Sequence, residues 1–172
     1  MNTITINKAT EYDIPVIKSM ADIVFRQTYG SILTTQQIEY MMELMYSDES
    51  LEKQFCDGHC FFIALCKDTT IGYISIQKEG ITEDNATLYH IHKLYVMPEW
   101  QGSGMGKFLF KQACEYASLN KNSVKARIKL NVNRFNKAVG FYLKMGMKIA
   151  REGDFPIGDG YYMNDYIMSI EI

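Results

Sequence analysis

The 172-residue sequence has neither an excess of positive charge nor a long apolar run, and each absence excludes a class of function. Lys and Arg total 18 against 20 Asp and Glu, without a basic cluster that would neutralise a nucleic-acid backbone. No apolar stretch approaches the roughly 20 residues that a membrane-spanning helix needs, and the N-terminus shows no signal-peptide pattern. We therefore expect a cytoplasmic protein that binds neither nucleic acid nor membrane.

Cysteine is also scarce, and its spacing favours neither a disulfide framework nor a metal site. No C-x-x-C pair occurs among the four cysteines, which are Cys56, Cys60, Cys66 and Cys114. Buried, reduced thiols are the expected state. His59 lies between Cys56 and Cys60, but the apolar strand that follows would bury one of the ligands, so the sequence predicts no metal site.

Only three prolines interrupt the chain, and we find no linker or repeat, which favours a single domain over residues 1–172. A strand at residues 3–6 precedes helical patterns after Thr10 and Thr34 and a short third helix. The remaining pattern predicts the order β-α-α-β-β-β-α-β-α-β-β. This order indicates an α/β sandwich with a mixed, largely antiparallel sheet, closed by strands at 148–151 and 162–170 around a Gly158–Gly160 loop.

Residues 94–107 form the most informative segment, in which an apolar strand passes through Pro98 into a glycine-rich turn and then a helix. Without Cβ atoms at Gly102, Gly104 and Gly106, successive backbone N–H groups can converge on an anion. The positive end of the helix dipole lies behind them. The segment is therefore typical of a phosphate site, although an ordinary tight strand-to-helix turn has the same composition.

Two common phosphate motifs do not fit this segment. A Walker A loop needs Ser or Thr after its Gly-Lys pair, but Phe108 follows Lys107. A dinucleotide-binding fingerprint needs its third glycine at position 107 and normally opens the first βα unit. The pattern that remains is Gln101-x-x-Gly104-x-Gly106, three residues after Val96-x-Pro98.

A second block, at residues 128–146, predicts a strand, a short turn and a helix that Gly146 ends. Asn136 and Ala138 stand at the start of this helix, and Tyr142 lies four residues before Gly146. Together the two blocks resemble the GNAT superfamily of acyl-CoA-dependent N-acyltransferases. The resemblance covers most of the chain and implies the GNAT fold, acetyl-CoA as cosubstrate and transfer of an acetyl group directly to a primary amine.

The resemblance also implies which residues bind the cosubstrate. A strand bulge before the loop is expected to free backbone groups for the pantetheine arm and the thioester oxygen, and the loop is expected to bind the pyrophosphate. The residues at these and the neighbouring coenzyme positions are Leu94, Tyr95, Val96, Gln101, Gly102, Ser103, Gly104, Met105, Gly106, Lys107, Asn131, Asn136 and Tyr142.

Tyr142 matches the family's general acid, which protonates the departing thiolate, although it also lies on the apolar face of its helix and can be a packed core tyrosine. By resemblance, Asn136 contacts the coenzyme or orients a water near the amine; it can equally cap the helix. His90 and His92 point to one face of a strand. They resemble the paired histidines of arylalkylamine N-acetyltransferases, which serve a water chain that removes the amine proton, but they can also be a hydrogen-bonded strand pair.

The tail from Asp154 to Met168 resembles the end of bacterial spermidine/spermine-type N-acetyltransferases. Its acidic residues (Asp154, Asp159, Asp165) and its tyrosines (Tyr161, Tyr162, Tyr166) can attract a cationic amine, although the segment can equally be a solvated loop followed by an edge strand. We therefore expect a small polyamine-like or aromatic acceptor, with a protein or peptide N-acetyltransferase and a non-catalytic acyl-CoA sensor as alternatives. The methionines of the second helix (Met41, Met42, Met45) either fill the core or line the acceptor pocket. The Met-rich helices and the closing strands can also form the interface of a homodimer.

Overall fold

The computed structural model describes residues 3–172 and contains seven strands and five helices. The strands are β1 (Ile4–Lys8), β2 (Cys60–Cys66), β3 (Thr69–Ile81), β4 (Ala86–Val96), β5 (Lys125–Asn133), β6 (Lys148–Gly158) and β7 (Tyr161–Glu171). The helices are α1 (Ile14–Tyr29), α2 (Thr35–Tyr46), α3 (Asp48–Cys56), α4 (Met105–Asn120) and α5 (Ala138–Lys144). No helix among these residues is long and apolar enough to span a membrane.

The seven strands form one sheet in the order β1-β2-β3-β4-β5-β7-β6. Strands β4 and β5 are parallel, whereas the pairs β1–β2, β2–β3, β5–β7 and β6–β7 are antiparallel. The predicted mixed, largely antiparallel α/β fold is thus confirmed, with α3 as the short third helix.

The closing strands differ from the prediction. The loop expected between residues 151 and 162 is mostly strand, because β6 continues to Gly158 and places Asp154 opposite Asn164. Three consecutive residues with positive φ, Gly158, Asp159 and Gly160, complete the reversal, so a tight turn suffices. Strand β6 rather than β7 is the edge of the sheet.

The chain forms two compact units. The first contains the chain up to Gln77 together with Lys93–Ala113, and the second contains Lys78–His92 and Cys114–Ile172. Strands β3 and β4 each supply residues to both units.

An aromatic cluster forms the centre of the first unit. Phe25 of α1 packs against Tyr29, Tyr46 and Tyr95, with ring centroids 4.5 to 6.3 Å apart. The hydroxyls of Tyr46 and Tyr73 lie 2.8 Å apart in a hydrogen bond, which satisfies two groups that would otherwise be costly to bury. The cluster therefore joins α1 and α2 to β3 and β4. Met41 belongs to this core, as its helical spacing predicted.

Gly72 lets the end of β4 approach β3 closely. A Cβ atom at this position would lie 2.7 Å from the Tyr95 carbonyl oxygen and 3.1 Å from Leu109 Cδ1. Any side chain here would force β4 or α4 to move. Gly72 therefore sets the position of the strand that leads into the glycine-rich turn.

The second unit is built on β5, which pairs with β4 on one side and β7 on the other. Its buried face includes Ile128, Leu130 and Met168. Helix α5 ends at Lys144, and Gly146 follows its C-cap with a φ of 92°, the left-handed conformation that glycine adopts at little cost. This stop confirms the predicted end of the helix.

All four cysteines are free thiols. Cys60 and Cys66 are buried, Cys114 is half-buried and Cys56 is exposed. Burial raises the pKa of Cys114 to about 11, so this thiol stays protonated and unreactive at neutral pH. The expectation of buried thiols holds for Cys60 and Cys66 but not for Cys56.

Lys93 is a buried charge in the first unit. Only 7% of it is exposed, its Nζ donates to Gln54 Oε1 at 2.5 Å, and the rings of Tyr46 and Phe61 lie 5.4 and 5.7 Å from it. Burial lowers its pKa from 10.5 to about 7. The amine therefore loses its proton far more readily in the folded protein than in the unfolded chain.

This difference predicts a pH-dependent stability that Lys93→Met removes. Above pH 7 the unfolded chain keeps the proton that folded Lys93 has lost, so the parent gains about 1.4 kcal/mol per pH unit relative to the variant. Below about pH 7 the difference between the two levels off. Urea unfolding of both proteins from pH 6 to 9 checks this, and parallel pH dependences would contradict it.

Candidate active site

The glycine-rich turn joins β4 to α4 in the first unit. Gly102 and Gly104 have φ values of 77° and 87°, in the left-handed region that favours glycine. A Cβ atom at either position would meet nothing within 4 Å, so both face open space. Gly106 lies in the first turn of α4, where the backbone N–H groups have no partner within the helix. The turn thus presents unpaired donors and a positive helix end to an anion.

Gln101 and Ser103 hold the turn together. The Gln101 Nε2 donates to the Val96 carbonyl and to Gln27 Oε1, both at 3.0 Å. The Ser103 hydroxyl donates to the Trp100 carbonyl at 2.5 Å. Both residues belong to the loop that is predicted to bind the cosubstrate, and their side chains fix the backbone of this loop.

The predicted pantetheine segment, Leu94–Val96, lies at the end of β4. The parallel ladder to β5 ends at Ile91, opposite Leu130, although β4 continues to Val96. The backbone of the last residues is thus outside that ladder. The resemblance placed the strand irregularity in this part of β4.

Tyr142, Asn131 and Asn136 lie in the second unit. Tyr142 is buried on α5, with 7% of its surface exposed. Asn136 lies just before α5, and its Oδ1 accepts from the N–H of Ala138, the first residue of the helix, at 2.8 Å. Asn131 Nδ2 donates to Asp165 Oδ2 at 3.4 Å.

Two of the three tail carboxylates, Asp154 and Asp165, are less available than the sequence suggested, whereas Asp159 is exposed. Asp165 is 4% exposed, and burial raises its pKa. Its Oδ1 has no hydrogen-bond partner among residues 3–172. Asp154 accepts from Arg134 and from Asn164, each at 2.7 Å, so its charge is already compensated.

His90 and His92 form a close pair, with ring centroids 4.0 Å apart. His90 Nδ1 lies 2.8 Å from Glu79 Oε1 on β3, and Lys129 Nζ on β5 lies 2.6 Å from Glu79 Oε2. Three strands therefore contribute to one polar cluster in the second unit. The spacing of the histidines predicted the pair, but placing Glu79 beside His90, 11 residues away, also requires the pairing of β3 with β4.

Lys93 is the other residue that sequence reasoning missed. A lysine between His92 and Leu94, in a strand that otherwise reads as apolar, was the available signal. Its side chain points to the face of the sheet opposite that of the histidines, because successive residues of a strand alternate between the two faces.

The predicted residues thus form two groups. The turn and the end of β4 belong to the first unit, and Tyr142, Asn131, Asn136 and both histidines belong to the second. Residues 31–153 match the family described as the acetyltransferase (GNAT) domain. The chain belongs to the GNAT acetyltransferase family. It is an N-acetyltransferase, and acetyl-CoA is its cosubstrate.

Solved structures share the fold of this GNAT chain. The PaiA N-acetyltransferase of Thermoplasma acidophilum, in complex with coenzyme A, is 24% identical, with 99% of each chain covered and a TM-score of 0.78. Naa50 of Arabidopsis thaliana, in complex with a bisubstrate analogue, is 19% identical over 97% of each chain, with a TM-score of 0.69. The ribosomal-protein-S18-alanine N-acetyltransferase of Escherichia coli is 17% identical over 99% of this chain and 94% of its own, with a TM-score of 0.70.

The glycine-rich turn predicts a variant that loses the cosubstrate. Gly104→Val should weaken acetyl-CoA binding by at least about 100-fold, because the new side chain fills the space in front of the N–H groups, and each hydrogen bond to a charged group is worth about 1.5 to 3 kcal/mol. Titration calorimetry measures the affinity.

Gly58→Val is the matched control, since Gly58 has a φ of 88° and also faces open space. It carries the same backbone strain away from the turn. Acetyl-CoA affinity that is unchanged in folded Gly104→Val would remove the turn from the binding site.

Proposed function

We propose that this GNAT enzyme acetylates a primary amine of a small polycationic or aromatic molecule, by direct attack on acetyl-CoA in a ternary complex. The observation that supports a cationic acceptor is an acidic groove in the first unit. The proposal concerns the acceptor, since the transfer of acetyl groups follows from the family.

The groove has a volume of about 650 Å³ and lies along α1 and α2. Its charged lining residues are Lys18, Asp22, Arg26, Glu39, Glu43 and Asp48, and Pro15 and Met42 add apolar surface. Four carboxylates against two cations give the groove a net charge of −2. A flexible chain with several ammonium groups would complement this charge, and the apolar lining suits the methylene segments between them.

Ion pairs already hold three of the four carboxylates. Arg26 bridges Asp22 and Glu39, and Lys18 pairs with Asp48 at 2.8 Å. For Glu43 the structure of residues 3–172 shows no ion pair, so its charge is the most available to a ligand.

Amine acetylation needs a polarised thioester carbonyl, a neutral amine and a proton for the leaving thiolate. We assign the polarisation of the thioester carbonyl to backbone N–H groups at the end of β4. We assign the protonation of the leaving thiolate to the Tyr142 hydroxyl. His92, with His90 beside it, is the candidate that takes the ammonium proton through water. A His92→Gln variant with parental turnover would contradict that role.

A protein N-terminus is the second candidate acceptor. It is favoured by the fold shared with Naa50, solved with a bisubstrate analogue of the sequence CoA-Ac-MVNAL, and with the enzyme that acetylates ribosomal protein S18. An N-terminal amine carries one charge, whereas a polyamine carries several. The net charge of the groove therefore ranks the polyamine first.

A thiol-release screen with polyamines, aminoglycosides, arylalkylamines and N-terminal peptides separates these acceptors. With a polyamine, Glu43→Gln should raise KM about 2- to 5-fold, because the variant loses the contribution of one exposed ion pair to binding. The effect should shrink at high salt, which screens the charges. Glu49→Gln removes the same charge from exposed α3, outside the groove, and should leave KM unchanged. Turnover with peptides alone would overturn the polyamine assignment.

The role of Tyr142 predicts a change in rate without a change in cosubstrate affinity. Tyr142→Phe should lower kcat by about 10- to 1000-fold, because only proton donation to the thiolate is lost. Activity assays measure kcat, and titration calorimetry measures the affinity for acetyl-CoA.

Tyr89→Phe is the control for removing a buried hydroxyl, since the Tyr89 hydroxyl has no hydrogen-bond partner among residues 3–172. Its kcat should match the parent. If kcat of Tyr142→Phe is also parental, Tyr142 is a packing residue.

A further inference from the structure

We propose that Glu79, His90 and His92 form a binding site for a divalent transition-metal ion, with Zn²⁺ as the best match. Potential ligand atoms of the three residues all lie within 4.8 Å of one another. They are the one such group of His, Cys, Asp and Glu that residues 3–172 contain. The cysteines around His59 are not part of it.

The strands preorganise the three ligands. His90 and His92 are two residues apart on β4, so both imidazoles point to the same face of the sheet. Glu79 reaches them from the adjacent strand β3. The side chains of His90 and Glu79 keep 16% and 27% of their surface exposed, so an ion can enter from solvent.

The existing hydrogen bond shows where an ion would sit. His90 Nδ1 and Glu79 Oε1 are 2.8 Å apart, a hydrogen bond in which the carboxylate oxygen accepts. Bonds of about 2.0 to 2.2 Å to a tetrahedral zinc place ligand atoms about 3.4 Å apart. The ion can therefore take the place of the hydrogen-bonding proton, which leaves to solvent, once the ligand atoms move by about 1 Å. His92 supplies the third ligand.

The charge state of Glu79 suits a ligand. Burial raises its pKa, but the hydrogen bonds from Lys129 and His90 outweigh burial and the net pKa is lowered. Lys129 Nζ bonds to Oε2 at 2.6 Å, which leaves Oε1 for the metal and orients the carboxylate from outside. The ammonium also offsets the charge of Glu79, so we expect moderate rather than very tight binding.

Two imidazoles and one carboxylate select the kind of ion. Zinc accepts this ligand set, with a fourth position left to water, whereas Ca²⁺ and Mg²⁺ need six or more oxygen ligands or most of their own waters. A tetrahedral site of this type also accepts Co²⁺, which can serve as a spectroscopic probe.

Metal binding has a consequence that rests on the proposed function. The ion takes the imidazole lone pairs with which His90 and His92 would accept the proton of the amine. Zinc should therefore inhibit acetyl transfer reversibly, and a chelator should restore it.

Titration calorimetry with ZnCl₂ tests the site in the absence of acetyl-CoA and acceptor. The Cys56→Ser protein is the reference, because Cys56 is an exposed thiol that can bind zinc by itself. We expect one equivalent bound, and Glu79→Gln and His92→Gln should each weaken binding at least about 10-fold. His59→Gln removes the histidine outside the cluster and should leave the affinity unchanged. Circular dichroism shows that each variant is folded.

Equal zinc affinity in the reference, Glu79→Gln and His92→Gln proteins would overturn the site, as would loss of binding in His59→Gln alone. Because this measurement involves no acetyl transfer, it does not depend on the acceptor proposal. Conversely, if zinc binds as expected while the rate with and without zinc is the same, the metal site stands and the assigned proton route fails.

Discussion

The left-handed backbone at Gly102 and Gly104 is the constraint on which the cosubstrate site depends. These two residues turn the chain from the end of β4 into the start of α4, and residues with side chains adopt this conformation at a cost of about 1 to 2 kcal/mol each. The turn leaves the first N–H groups of α4 facing open space. Gly72 contributes the second half of the constraint, because it lets the Tyr95 carbonyl approach β3. Both are backbone effects, so the binding of an anion here needs no charged side chain.

Buried polar groups distinguish this sheet from a purely structural one. Lys93 and Asp165 are almost fully buried. Burial lowers the pKa of Lys93 and raises that of Asp165, so it favours the neutral form of each side chain. Glu79 is only partly buried and remains ionised through Lys129 and His90. Such groups oppose folding unless they are paired. Lys93 lies in β4 and Glu79 in the neighbouring β3, whereas Asp165 lies in β7.

The sequence predicted the fold because its signals are local. The period of α1, the glycine stop of α5 and the turn after β4 each depend on residues close in the chain. The capping interaction of Thr10 with Asp13 is likewise local and is present before α1. The loop predicted near Gly158 was too long, because three positive-φ residues reverse the chain in less space than the composition suggested.

The candidate site was predictable only in part, for the same reason. The glycine turn, Tyr142 and the H-x-H pair follow from spacing along the chain. The contact of Glu79 with His90 depends on how β3 pairs with β4. The bond between Asn131 and Asp165 and the enclosure of Lys93 depend on contacts between distant segments. The acidic groove is also a product of tertiary packing, since its residues come from both α1 and α2.

Transfer of an acetyl group directly from acetyl-CoA to a small polycationic amine is the central claim. Mass spectrometry of a reaction containing carbon-13 acetyl-CoA and spermidine tests it most directly. We expect labelled N-acetylspermidine, with one molecule formed for each coenzyme A released, and no labelled acetyl-enzyme intermediate. Release of the labelled acetyl group as free acetate, or a labelled enzyme that passes its acetyl group to spermidine after acetyl-CoA is removed, would contradict it.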